Sequence, residues 1–190
     1  MKYYELDLPS QYMEIAHVKF DKIGFLYDIK AVFPGLLLTM IGWIFVKPTI
    51  SQILISLGIL VISIYPYFIL HEIIHGTIIK IITRQRVKIG FNKSGAYCGM
   101  PEIYMYRTVA VCCTVAPLVV FLLVFGFGIA ILIVASNWMF LPFGLLLILH
   151  LLSCRSDVNL LKELGKYKKH SLLVKDIGNE QWFYLFREEE

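Results

Sequence analysis

The chain has 190 residues, of which 58% are hydrophobic and 17% charged, against about 45–50% and about 25% in a typical soluble domain, which argues against an ordinary soluble globule. Its formal net charge of +4 needs no acidic partner, because membrane proteins hold positive charge on the cytosolic side, and no independent feature supports binding to nucleic acid. Asp, Glu, Lys and Arg are absent from Ala31–Val46, Pro48–Leu70 and Thr108–Cys154, runs of 16, 23 and 47 residues. About 20 apolar helical residues cross a bilayer, so these runs read as membrane spans and the lipid bilayer as the main partner.

Met1–Lys30 is polar and aromatic and has no apolar signal-peptide core, so cleavage is not expected. The first span covers about Ala31–Val46, with a possible extension before Lys30, and Lys47-Pro48 ends it. The second runs from about Ile50 into the low eighties. In the connection after it, Val87, Ile89 and Phe91 alternate with polar or small residues. Asn92-Lys93-Ser94-Gly95 then offers turn chemistry, and Ala96-Tyr97-Cys98 returns, which predicts a small β-hairpin. Thr108–Cys154 is too long for one crossing; Ala135-Ser136-Asn137 divides it into helices near Thr108–Ala135 and Trp138–Cys154. Beyond them, Ser156–Leu164 reads as a short helix, Lys166–Lys169 as a basic cluster on a solvated face, and Trp182–Phe186 as strand-like.

The expected fold is therefore an all-α membrane protein with about four transmembrane helices and a small cytosolic hairpin after the second. It forms a single domain over 1–190, with an N-terminal cytosolic or interfacial segment at 1–30, a membrane region at 31–153 and a cytosolic tail at 154–190. Lys and Arg number four before the first span, one after it, six between the second and third, none between the third and fourth, and seven after the fourth. That alternation puts both termini and the Arg84–Arg107 connection in the cytosol. Cys98, Cys112, Cys113 and Cys154 lack metal-site spacing and read as buried thiols. No feature specifies an oligomeric state.

The chemistry lies in His71-Glu72-Ile73-Ile74-His75. Residues four apart share a helix face, so both imidazoles can meet one Zn²⁺ while Glu72, one step round, reaches the water to be activated and acts as general base. With histidine at 5 of 190 positions, a chance match is expected on the order of 0.005 times per chain, and three ionisable groups continuing an apolar helix imply a compensating metal. A third ligand must lie at the same membrane depth. Asp157, just past the cytosolic end of the fourth helix, meets that condition. His150 competes with it from about 10.5 Å deeper, where the plainer reading is a hydrogen-bonded core histidine. Glu102 is a remote third option. Pro66 and Pro117 are compatible with helix kinks near a site or with packing alone, and Asn159 with a substrate contact or a helix cap.

His71–Gly76 in a membrane helix, the hairpin-like RVKIGFNKSGAYC, Ala116-Pro117-Leu118 and SDVNLL at Ser156–Leu161 together resemble the putative zincin peptidases, small bacterial membrane proteins similar to site-2-type intramembrane zinc metalloproteases. The likeness covers about residues 15–186. It implies a three-helix core formed by spans two to four, Asp157 as third zinc ligand, a hairpin that holds substrate extended, and a bacterial cytoplasmic membrane location. One departure is that the Asn-x-x-Pro and Asp-Gly signature of those proteases is missing, since Val158 follows Asp157. The expected function is hydrolysis of peptide bonds in membrane or membrane-adjacent protein segments near the cytosolic face. Alternatives are cleavage of soluble or lipid-attached peptides, and a non-catalytic metal-binding scaffold or sensor, for which a retained Glu72 would have no use.

Overall fold

Local signals explain where the helices begin and end. In the computed structural model, which describes residues 3–19, 25–92, 95–167, 172–177 and 180–187, helix α1 spans Phe25–Val46. It stops where Lys47 turns left-handed (φ 49°) ahead of Pro48, a residue that cannot continue a helix. Helix α2 is Ile50–Thr83. Thr49 opens it with a capping box: the Gln52 amide donates to Thr49 Oγ1 at 3.4 Å and the Thr49 amide to Gln52 Oε1 at 2.9 Å. Arg84 (φ 58°) ends it. Helix α3 is Arg107–Val134, α4 Phe140–Ser153 and α5 Arg155–Lys166. The expected turn between α3 and α4 is present, with Ser136 left-handed (φ 50°) and Asn137 Oδ1 accepting the Met139 amide at 2.9 Å.

Two helices, α2 and α3, are long and apolar enough to cross a membrane, and α4 with α5 makes a third if the pair is one broken span. The apolar part of α1, Val32–Val46, is shorter. The most apolar window of α2 is only 11% buried; an apolar surface left so bare suits lipid as its solvent, and length and composition make this a membrane protein.

The all-α expectation needs correction: the chain is mostly helical but also carries a five-stranded antiparallel sheet. Strands β1 (Tyr4–Glu5), β2 (Tyr12–Lys19), β5 (Tyr104–Tyr106), β6 (Leu173–Asp176) and β7 (Glu180–Phe186) pair in the order β1-β5-β6-β7-β2. Two strands have only two or three residues, too few for a period-2 pattern. In β2 an irregularity between Glu14 and Ala16 breaks the alternation, and Ile15, Ala16 and Val18 all pack on the core. The expected hairpin forms as β3 (Lys88–Asn92) and β4 (Gly95–Gly99), with Ile89 opposite Cys98. Lys93 and Ser94 of its turn and Lys168 and Lys169 of the basic cluster lie outside the described residues.

The chain divides into two compact units. One, built from 1–22, 68–117 and 156–190, holds the sheet, the hairpin, α5, and the adjoining parts of α2 and α3. Leu160 and Leu164 of α5 pack with Val174 and Phe183 of the sheet, with Leu172 just before β6 and with Ala110 of α3. The amide of Met100, just past the hairpin, donates to the Asp176 carbonyl of β6 at 2.9 Å. The other unit, 23–67 with 118–155, holds α1, α4 and the remaining parts of α2 and α3. There α1 and α4 approach closely at glycines, where a Cβ on Gly42 would come within 2.5 Å of the Phe140 ring.

Candidate metal centre

In the sheet-bearing unit, His71 and His75 lie one turn apart on α2, their ring centroids 5.0 Å from each other. Helix α5 brings Asp157 to both. Asp157, Leu160 and Leu164 are its buried residues, at the spacing of one helix face, so the leucines that anchor α5 on the sheet also aim the carboxylate. Asp157 Oδ2 is 3.2 Å from His71 Nε2, and Oδ1 is 3.5 Å from His75 Nε2. Ligand atoms of the three residues all lie within 4.8 Å of one another.

Donors about 2.05 Å from a shared zinc stand ~3.3 Å apart at the corners of a tetrahedron, close to the two spacings from Asp157 to the imidazoles. Two imidazoles and one carboxylate are also the donor set of a hydrolytic zinc site.

His75 Nδ1 donates to the Cys113 carbonyl of α3 at 2.8 Å. In the neutral imidazole that bond puts the proton on Nδ1 and leaves the Nε2 lone pair, which faces Asp157, free for a metal. No residue pattern could reveal it, because any residue at 113 offers the same carbonyl.

Glu72 lies one step round the helix and receives a backbone hydrogen bond from Cys98 of β4. The hairpin sits this close because residue 76 is glycine: a Cβ there would stand 3.3 Å from Val87 Cγ1 and 3.4 Å from both Ile89 Cδ1 and Cys98 Sγ. The Cys98 thiol is inert, since burial, reinforced by Asp176 and Glu72, pushes its pKa well above the ordinary value.

His150, fully buried in the other unit, donates from Nε2 to the Leu118 carbonyl at 3.2 Å and accepts the Tyr67 hydroxyl on Nδ1 at 2.9 Å. Glu102 is exposed and pairs with Lys88 at 2.8 Å. Asn159 sits inside α5, so it caps neither end, and two residues of helix turn it about 200° from Asp157. Pro66 and Pro117 both lie within helices, α2 and α3. Of the four cysteines, Cys112 is exposed rather than buried; one residue of helix turns it about 100° from the buried Cys113.

A family model described as putative zincin peptidase matches residues 64–172, from within α2 to the start of β6. No curated protein and no solved structure matches the chain.

Proposed function

Because the chain belongs to the putative zincin peptidase family, we propose that it is a membrane-embedded zinc metalloprotease that cleaves membrane or membrane-adjacent protein segments near the cytosolic face. Zinc is the metal the family implies, and the three converging donors fit it. In this reading His71, His75 and Asp157 are the ligands and Glu72 is the general base. The observation that carries it is the joint position of Glu72, beside the donor triad on α2 and hydrogen-bonded to the β4 backbone.

Zinc supplies Lewis acidity toward water and a peptide carbonyl. Glu72 takes a proton from the attacking water as the new C–O bond forms, then delivers it to the amine nitrogen as the C–N bond breaks. The Cys113 carbonyl keeps His75 in register through both steps. Peptide bonds in a helix are poor substrates, their carbonyls already hydrogen-bonded. A target segment paired to the hairpin as an added strand satisfies its backbone while presenting one carbonyl beside Glu72.

Glu72→Gln keeps the size of the side chain but cannot take the proton. The variant is expected to insert and retain zinc like the parent while losing cleavage by at least ~10². Wild-type activity of Glu72→Gln on a verified substrate would refute the mechanism and favour the metal-binding scaffold.

A further inference from the structure

Apart from the metal centre, the sheet-bearing unit contains a cavity of about 690 Å³ between the end of α2 and the start of α3, within the usual range for small-molecule sites. We propose that this cavity binds one anionic phospholipid.

One wall is apolar, formed by Ile81 and Ile82 of α2 and by Val109 and Cys112 of α3. Both helices belong to the set long and apolar enough to cross a membrane, and Ile81 and Cys112 are exposed. The wall therefore continues onto surface that an acyl chain already covers. Three tyrosines also line it, Tyr3, Tyr4 and Tyr106, and tyrosine is a side chain that settles at headgroup level, where an apolar ring and a polar hydroxyl are both satisfied. Two of the hydroxyls are engaged: Tyr4 accepts from Gln85 Nε2 at 2.7 Å, and Tyr106 donates to Glu5 Oε1 at 2.7 Å.

Arg84 supplies the charge. It lines the cavity while no acidic residue does among the described residues. Its guanidinium is exposed and has no ion-pair partner among them. An arginine fork over an apolar slot matches a phosphodiester with its acyl chain below. A free phosphate would leave that slot empty.

The test is native mass spectrometry of the full-length protein titrated with phosphatidylglycerol or with phosphatidylcholine of the same chains. One phosphatidylglycerol is expected to bind well ahead of phosphatidylcholine. Arg84→Gln should weaken it about tenfold, the scale of one charge-assisted hydrogen bond. Arg86→Gln, which removes an equal charge outside the cavity, should weaken it less. Cys112→Phe narrows the slot without changing charge and should also reduce binding; if that variant does not fold, the two arginine variants decide. Equal binding of the two lipids, an Arg86→Gln loss as large as that of Arg84→Gln, no effect of a folded Cys112→Phe, or glycerol 3-phosphate binding as tightly as the lipid would each overturn the proposal.

Discussion

His75 illustrates how one side chain is committed at both ends: Nδ1 to the Cys113 carbonyl and Nε2 toward Asp157. His71 and Asp157 complete the triad, and a carboxylate in so buried a place is sustained only by partners of opposite charge, whether imidazolium or metal. Purified protein is accordingly expected to carry about one zinc per chain, with a sharp fall in His71→Ala and in Asp157→Ala. His150→Ala should behave differently. It removes the buried hydrogen bonds that His150 makes to the Tyr67 hydroxyl and the Leu118 carbonyl, each worth about 0.5–1.5 kcal/mol of stability, while zinc is retained. Metal analysis and thermal unfolding of the same preparations separate the cases; loss of zinc in His150→Ala with retention in Asp157→Ala would move the third ligand to His150. The His71/His75 pair was legible because a helix converts spacing directly into a shared face. Membrane depth and family likeness point to Asp157, whereas what turns its carboxylate is the packing of Leu160 and Leu164 against a sheet whose strands leave little local signal.

At the scale of elements, the hairpin β3–β4 and helix α2 are fitted to each other through Gly76. A Cβ there would already touch Val87, Ile89 and Cys98 at 3.3–3.4 Å, so the two further methyls of a valine have no room and push the strands away from Glu72. Gly76→Val should leave zinc content unchanged yet impair cleavage of a membrane-inserted substrate more than that of a short unstructured peptide, because only the former must be held extended. Equal loss on both substrates would remove the hairpin from substrate binding. The hairpin was readable in advance: five residues of alternation, polar turn residues and a return strand are all local. Strands β1, β5 and β6 were not. Each is two to four residues long and exists only because partners distant in sequence supply its hydrogen bonds.

For the molecule as a whole, the distribution of Lys and Arg supports an orientation in which the termini and the α2–α3 connection share the cytosolic side. Cys112 is the one exposed native thiol among the described residues, so a Cys112→Ser background provides a clean probe. A cysteine replacing the exposed Glu102 should react with an impermeant maleimide only after cells are opened. One replacing Asn137, in the α3–α4 turn, should react in intact cells. Reversed labelling would invert the topology and undermine the depth argument for Asp157.

Charge-free runs, helix stops at Lys47-Pro48 and Ser136-Asn137, and the HExxH spacing are properties of neighbouring residues. Local sequence is therefore enough for the apolar helices, for their ends apart from the start of α1, which lies six residues ahead of Ala31, and for the pair of metal-facing imidazoles. Tertiary structure decided the rest: the five-stranded sheet, the carbonyl that orients His75, the close seat of the hairpin on Gly76 and the aim of Asp157. Each depends on backbone groups or on contacts between segments tens of residues apart, where a short stretch of residues carries no signal and only the folded chain brings the partners together.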